Sequence, residues 1–389
     1  MVQKDNVRQA VLAERIFDGF GWHDNAAVLI DRGRVQEICS TDKVPLDCER
    51  RQFPAGSILA PGFIDLQVNG GGGVLLNDAP TPEAMREIAL AHRRLGTTAL
   101  LPTLITDTRE KTIAAITAAK QARGSGGVLG LHLEGPFLNP ARAGVHRKDH
   151  IAQAEMHDLD WLLALADAGH SVITLAPERV PPGFIHELAS RGIRVCAGHS
   201  EASAEVMQGA IAEGVTGVTH LFNAMPPFAG RAPGIVGTAL SDPRIIAGII
   251  VDGLHVDPVS VRAAFAAKRA EGIMLVTDAM PTVGASAMRF DLLGTNVSMR
   301  DGRLVTEKGT LAGAHLDMAS AMRKAVQLAH IPLEHALIAA SRTPARFLGI
   351  DHECGALIPG ACANLVALSR ELTVLSTWIA GECEDAPRQ

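Results

Sequence analysis

The chain of 389 residues contains no tyrosine, and aromatic residues of all kinds make up only 4% of it. It also lacks a basic run, and its formal net charge of −6 argues against nucleic acid as a partner. An anionic small molecule stays admissible, because local arginine and histidine groups decide that rather than net charge. The six cysteines (Cys39, Cys48, Cys196, Cys354, Cys362 and Cys383) form no C-x-x-C pair and no compact framework. Scattered thiols of this kind fit a reduced, cytosolic protein. The opening residues Met1-Val2-Gln3-Lys4-Asp5 lack the apolar core of an export leader, so a cytoplasmic location is expected. The longest apolar run, near 245–251, is far too short to cross a bilayer, so no membrane partner is expected either. Internal repeats and low-complexity tracts are missing as well. What the chain does have is 47% apolar residues and 38 glycines, which suit many buried strands joined by tight turns. Its length fits one barrel of ~250 residues plus a smaller module.

Residues 8 to 60 read as short strands, with turn signals at Asp18-Gly19 and Asp31-Arg32-Gly33. From 61 the pattern becomes strand–helix alternation, the signature of parallel βα units. Strand candidates occupy 63–68, 97–103, 128–134, 172–178, 194–199, 217–222, 245–252 and 272–278. Helical stretches between them include 82–95, 109–122, 154–168, 203–213 and 258–270. The first has Thr81 in the capping position, Pro82 at its first turn and Gly96 just beyond its end. Eight such units predict an α/β fold, a (β/α)8 TIM barrel over 61–354. After 355 the strand pattern returns, in 355–360, 364–368 and 373–375. Residues 1–60 and 355–389 are therefore expected to form one small β-sandwich domain, built from both chain termini and interrupted by the barrel.

The most informative stretch is Gly130-Leu131-His132-Leu133-Glu134-Gly135-Pro136, an apolar run that delivers a carboxylate and then turns sharply. A (β/α)8 barrel presents its active-site groups in this way, at the C-terminal ends of strands. The grammar recurs: Ala197-Gly198-His199, Val218-Thr219-His220 and Val276-Thr277-Asp278 each end in a charged or ligating side chain. Taken singly, Glu134 reads as well as a structural ion pair, the histidines as ordinary barrel residues, and Asp278 as a helix cap. Their combination favours a metal centre. Glu134, His199 and His220 suit Zn²⁺ with one position left for water or substrate. Asp278 is then the general base for the attacking water. His132 lies on the same face as Glu134 and is expected in the layer below the site. The loop after His220 brings Asn223 and Arg231, and Asp252-Gly253-Leu254-His255 ends the seventh strand. An arginine fork and a histidine at a barrel mouth suit a phosphate, although loop salt bridging would also explain them. Gly144-Val145-His146 adds a polar group after the Glu134 strand.

The run Pro61-Gly62-Phe63-Ile64-Asp65-Leu66-Gln67-Val68-Asn69-Gly70, with His132-Leu133-Glu134-Gly135-Pro136, Gly198-His199-Ser200, Thr219-His220-Leu221-Phe222-Asn223-Ala224-Met225 and Asp252-Gly253-Leu254-His255, resembles the N-acetylglucosamine-6-phosphate deacetylases of the amidohydrolase superfamily. The likeness extends through Val276-Thr277-Asp278-Ala279 and Leu311-Ala312-Gly313 and covers nearly the whole chain. It implies Glu134, His199 and His220 as metal ligands and Asp278 as the catalytic acid and base. It further implies that Val145, His146, Asn223, Ala224, Arg231, Asp252, Gly253, Leu254, His255, Leu311, Ala312 and Gly313 line a site for an amino-sugar phosphate. A homodimer, in which a neighbouring subunit helps hold the phosphate, is implied too. Where many amidohydrolases carry His-x-His on the first strand and bind two metals, this chain has Gln67-Val68-Asn69. Neutral amides are poor substitutes for imidazoles, so Gln67 and Asn69 mark a vestigial second position, and one divalent ion per subunit, zinc by its donors, is expected. Ala314 stands where a serine near the sugar is expected.

The activity these readings imply is hydrolysis of N-acetylglucosamine 6-phosphate to glucosamine 6-phosphate and acetate. Two rivals remain at this point. One is a deacetylase of another hexosamine phosphate, such as N-acetylgalactosamine 6-phosphate. The other is a non-catalytic scaffold on a decayed amidohydrolase fold, favoured by the missing strand-one histidines and opposed by the intact Glu134, His199, His220 and Asp278.

Overall fold

The computed structural model describes residues 8–387. The opening segment 1–5, in which no export leader is read, lies outside the described residues. Eight parallel strands form the centre: β1 (Phe63–Val68), β2 (Thr97–Ile105), β3 (His132–Glu134), β4 (Val172–Leu175), β5 (Arg194–Ala197), β6 (Val215–Val218), β7 (Ile246–Ile249) and β8 (Ile273–Leu275). Each pairs with its neighbours in chain order. The ring closes where Val68 bridges Ala279 and the Asp278 N–H donates to the Gln67 carbonyl at 3.0 Å. Every residue of β1 and β2 is buried. Strands covered by helices outside and by layered side chains inside must be apolar on both faces, hence their continuous hydrophobic runs.

The helix Pro82–Arg93 starts as its sequence predicts, with Thr81 Oγ1 accepting from the Ala84 N–H at 3.2 Å. The stretch 154–168 is not one helix. It breaks into the 3-10 turns Met156–Asp158 and Leu163–Ala168 around a single α-turn, Leu159–Leu162. The Asp158 carboxylate accounts for the break at the start, since it binds Glu155 N, Arg109 and Trp161 Nε1 rather than solvent.

Segments within 9–61 and 365–385 meet in one eight-stranded sheet. Gln9–Phe17, Trp22–Asp31 and Arg34–Ser40 form its meander, and Ile58–Pro61 pairs antiparallel with Leu365–Leu368 to admit the C-terminal strands. Val28, Ile30, Val35, Leu59, Leu365 and Trp378 share one core, so the sheet curls over its own apolar face. Residues 355–360 are not a strand as expected. Gly355 and Gly360 both take φ of 87°, and the Leu357 and Gly360 N–H groups donate singly to Asp18 and Val35 carbonyls.

A feature that the sequence reading passed over is a three-stranded antiparallel sheet, Arg289–Leu292, Thr295–Arg300 and Arg303–Thr306, inserted after β8. Two-residue turns at Leu293-Gly294 and Asp301-Gly302, all with positive φ, connect it. Leu292, Val297 and Leu304 pack on Leu75, Ile105, Met280 and Ala312, which seats this sheet on the barrel mouth. Among the described residues no helix is long and apolar enough to cross a membrane.

Candidate active site

Glu134, His199, His220 and Asp278 come together at the C-terminal ends of β3, β5, β6 and β8. Three of them leave the strand in the left-handed region, with φ of 47° at His199, 30° at His220 and 53° at Asp278. Such a conformation is uncommon for residues with a side chain and costs of order 1–3 kcal/mol where it occurs. Backbone bonds hold it here: Asn139 N to His199 O (2.9 Å), Leu221 N to Gly248 O (2.7 Å) and Ala314 N to Asp278 O (2.9 Å). The reversal of chain direction turns each side chain inward over the barrel axis.

Glu134 Oε1 lies 3.1 Å from His199 Nε2 and 2.9 Å from His220 Nε2, and the two nitrogens are 3.0 Å apart. His199 donates from Nδ1 to the Arg142 carbonyl at 2.8 Å, so its Nε2 carries a bare lone pair aimed at the carboxylate. Two lone pairs facing each other at this distance need a cation between them. Burial opposes charge on Glu134, but the two histidines beside it outweigh burial and hold the carboxyl well below its usual range. The donor set therefore fits a divalent ion. His146 is a competing donor, since Glu134, His146 and His199 also place ligand atoms within 4.8 Å of one another. Its ring is anchored by Thr106 at Nδ1 (2.8 Å), and its Nε2 stays 4.0 Å from Glu134. The shorter Glu134–His199–His220 geometry is the better cradle.

Gln67 and Asn69, expected to mark a vestigial second position, lie against both carboxylates. Gln67 Nε2 donates to Glu134 Oε1 (3.2 Å) and Asp278 Oδ1 (3.3 Å), and Asn69 Nδ2 to Asp278 Oδ1 (2.6 Å). The two carboxylates orient both amides, because a flipped amide would set oxygen against oxygen. Burial and then the charge of Glu134 push Asp278 up to about 6. Asp65, one step down β1, is also buried. It takes the Thr277 hydroxyl at 2.5 Å and the Gln67 N–H at 3.2 Å, so it ties the residue before Asp278 to β1. Burial raises it to about 7. His132 sits below the site as expected, with its nitrogens on Thr103 (3.1 Å) and Thr174 (2.8 Å). Burial drives its pKa down to about 4, so it stays neutral.

Above these groups opens a cavity of about 240 Å³, lined by Glu134, Val145, His146, His199, His220, Asn223, Ala224, His255, Asp278, Leu311 and Gly313, with Thr310 and Ile105 from segments not singled out in the sequence. A larger hollow, about 1050 Å³, lies on the outer sheet around Arg51 and Trp378, away from all of this chemistry. Of the other sequence candidates, Asp252 is set back and acts through His255: it takes the His255 Nδ1 at 2.6 Å and two backbone N–H groups at 2.8 Å. Burial opposes its charge, yet these bonds bring it down to about 2. Gly253 and Leu254 shape that loop without lining the cavity. Ala312 faces the three-stranded sheet, and Arg231 is exposed on its loop, outside the cavity. Ala314 is 2% exposed, packs in the barrel core and does not line the cavity. Thr106, Asp65 and Thr277 were missed as supporting residues, although a carboxylate inside the apolar run Phe63-Ile64-Asp65-Leu66 is itself a signal.

The amidohydrolase family matches residues 58–383 of the chain. The chain is 40% identical over 364 residues to the N-acetylgalactosamine-6-phosphate deacetylase of Shewanella sp. (strain ANA-3), covering 92% of this chain and 91% of that protein. It is also 40% identical over 363 residues to the N-acetylglucosamine-6-phosphate deacetylase of Homo sapiens, covering 88% and 87%. The crystal structure of N-acetylglucosamine-6-phosphate deacetylase from Pasteurella multocida superposes with a TM-score of 0.93 at 35% identity, covering 97% of this chain and 100% of that one. Barrel, strand-end cluster and sequence agree: the chain belongs to the amidohydrolase family, in the group that holds the N-acetylglucosamine-6-phosphate and N-acetylgalactosamine-6-phosphate deacetylases.

Proposed function

We propose that this protein hydrolyses N-acetylglucosamine 6-phosphate to glucosamine 6-phosphate and acetate, as a cytoplasmic homodimer. The observation that carries the reading is the convergence of Glu134, His199 and His220 within 3.1 Å beside the buried Asp278. Glu134, His199 and His220 would hold one divalent ion, zinc by donor type, and such an ion supplies Lewis-acid polarisation and a lowered pKa for water. Asp278 takes the proton of the attacking water and passes it to the departing sugar amine, so one group serves as base and then as acid. Its position, fixed by Asn69 and Gln67, keeps the carboxylate in one place through both steps. His146, whose ring lies 4.5 Å from that of His199, would help stabilise the oxyanion formed from the acetyl carbonyl. Burial and the neighbouring His199 lower its pKa to about 3, so it stays a neutral ring. The phosphate would lie toward Asn223, Ala224 and His255, with Arg231 on the exposed loop that follows Asn223.

The Shewanella relative, as similar to this chain as the human one, favours a second reading, the 4-epimer N-acetylgalactosamine 6-phosphate. Acetate release from both epimers, each with and without the 6-phosphate, decides between them. The first reading fails if the galacto substrate has the higher kcat/KM. No release from any of the four would leave the scaffold reading.

Two results follow from the side chains. Because Gln67 and Asn69 donate N–H groups where imidazole lone pairs would be needed, elemental analysis should find one tightly held ion per chain. Two ions at full activity would refute this. Arg231→Ala should lower kcat/KM about 10- to 150-fold for the phosphorylated sugar, the worth of a charge-assisted bond. The unphosphorylated sugar should be turned over as before. An equal loss on both would give Arg231 a structural role instead.

A further inference from the structure

Glu134, His146 and His199 can place ligand atoms within 4.8 Å of one another, so His146 is either a further imidazole on the ion or a group that acts from beside it. The choice turns on which ring nitrogen carries the proton. A neutral imidazole has one N–H and one lone pair, and the bond made by one nitrogen settles the state of the other. Thr106 approaches His146 Nδ1 twice. Its hydroxyl is 2.8 Å away, and its backbone N–H donates to the same nitrogen at 3.3 Å. Gly135, the residue after Glu134, makes room for this arrangement. It has φ of 96°, and a Cβ there would lie 2.1 Å from Thr106 Oγ1. The hydroxyl sits in space that only glycine leaves open.

An N–H donor requires a lone pair on Nδ1, so the proton of the neutral ring is on Nε2. In that state the Thr106 hydroxyl also donates to Nδ1. The opposite tautomer would send Nδ1–H to the hydroxyl, and the hydroxyl proton on to the Glu134 carbonyl, 3.1 Å away. It would also set Nδ1–H against the Thr106 N–H and take the acceptor from that buried donor. Orphaned buried N–H groups are rarer than under-satisfied carbonyls, so the first arrangement wins. The far side of the ring agrees. Nε2 is 4.0 Å from Glu134 Oε2, a carboxylate oxygen that attracts a proton and repels a lone pair.

We propose that Thr106 is a positioning residue that fixes His146 as the Nε2–H tautomer, a hydrogen donor beside the ion rather than a ligand of it. The donor's task rests on the reading of His146 as a partner of the oxyanion. A bare Nε2 would compete for the ion with His199 and His220. A protonated Nε2 does not, and it carries what a developing negative charge on the acetyl oxygen needs. The two neighbouring rings, 4.5 Å apart by their centres, are thus held in opposite tautomers. His199 donates from Nδ1 to the Arg142 carbonyl and offers a lone pair at Nε2. His146 accepts at Nδ1 from the Thr106 N–H and offers a proton at Nε2. A backbone carbonyl makes one ring a ligand, and a backbone N–H makes the other a donor.

The tautomer can be read directly. In metal-free wild type, ¹⁵N NMR of the histidines should show His146 protonated at Nε2. One equivalent of Zn²⁺ should move the Nε2 signals of His199 and His220 and leave the His146 N–H in place. Thr106→Val removes the hydroxyl and keeps the branched shape. It should lower kcat for acetate release by about 10- to 100-fold, below the roughly 10²- to 10³-fold for deleting an oxyanion donor outright. KM and Zn²⁺ affinity should stay as in wild type, which a collapsed site would not allow. Thr106→Ser keeps the hydroxyl and should recover most of the turnover. His146 protonated at Nδ1 in wild type, or losing its Nε2 proton to Zn²⁺, would overturn the proposal. So would a Val variant with full turnover, or a Ser variant as slow as Val. Should the Val variant not fold, the two wild-type spectra decide. If the protein releases acetate from no sugar, the catalytic reading fails, while those spectra still settle which tautomer Thr106 imposes.

Discussion

Replacing Asp278 with asparagine should lower turnover by at least about 100-fold, the lower range for losing a positioned acid–base group, while the substrate still binds. The substitution keeps the shape of the side chain and its oxygen for the Asn69 N–H, now 2.6 Å from Asp278 Oδ1. It removes the one property that the chemistry needs, a group that takes up and returns a proton. The burial and the Glu134 charge that push Asp278 up to about 6 are the environment of such a group. A bound divalent ion opposes that shift, so the free-protein value marks how strongly the site favours a proton there before loading. The check is kcat by acetate release together with substrate affinity by calorimetry. Near-normal turnover in Asp278→Asn would place the base elsewhere.

Stripping the divalent ion with a chelator should reduce acetate release to below about one thousandth of the loaded rate, since Lewis-acid help is worth several kcal/mol. Addition of one equivalent of Zn²⁺ should restore it. The fold should survive the treatment. The proposed ligands stand at strand ends above a barrel whose interior is packed by Leu66, Val172, Cys196, Met274 and Val276, all at most 3% exposed. Circular dichroism before and after chelation separates the two effects: a lost spectrum would make the ion structural, and full turnover without metal would remove it from the mechanism.

The barrel was legible because its strands obey local rules. Each ends an apolar run at a glycine, a proline or a polar cluster, and the helices between them carry their own caps, such as Thr81 and Pro82. The cluster of Glu134, His199, His220 and Asp278 was legible for the same reason: a charged side chain at the end of a strand buried on both faces has few structural uses. The insert at 289–306 was not read, although Asp301-Gly302 is a hairpin signal, because its strands are short and largely exposed and show little apolar alternation. The run 355–360 misled in the opposite sense, since its apolar residues plug the sheet rather than extend it.

By itself the sequence determined the fold class, the strand that bears each of Glu134, His199, His220 and Asp278, and the loss of imidazoles at Gln67 and Asn69. Those are properties of periodicity and residue type, and both are local. Only the tertiary structure decided how the groups meet. It set the left-handed turns that aim His199, His220 and Asp278 inward, and the pairing of Gln67 with both Glu134 and Asp278 across the barrel. It also placed Arg231 and Ala314 outside the cavity, the first on an exposed loop and the second in the core. The physical reason is distance along the chain. Gln67 reaches Asp278 over 211 residues, and such a contact exists only once the ring of strands has closed.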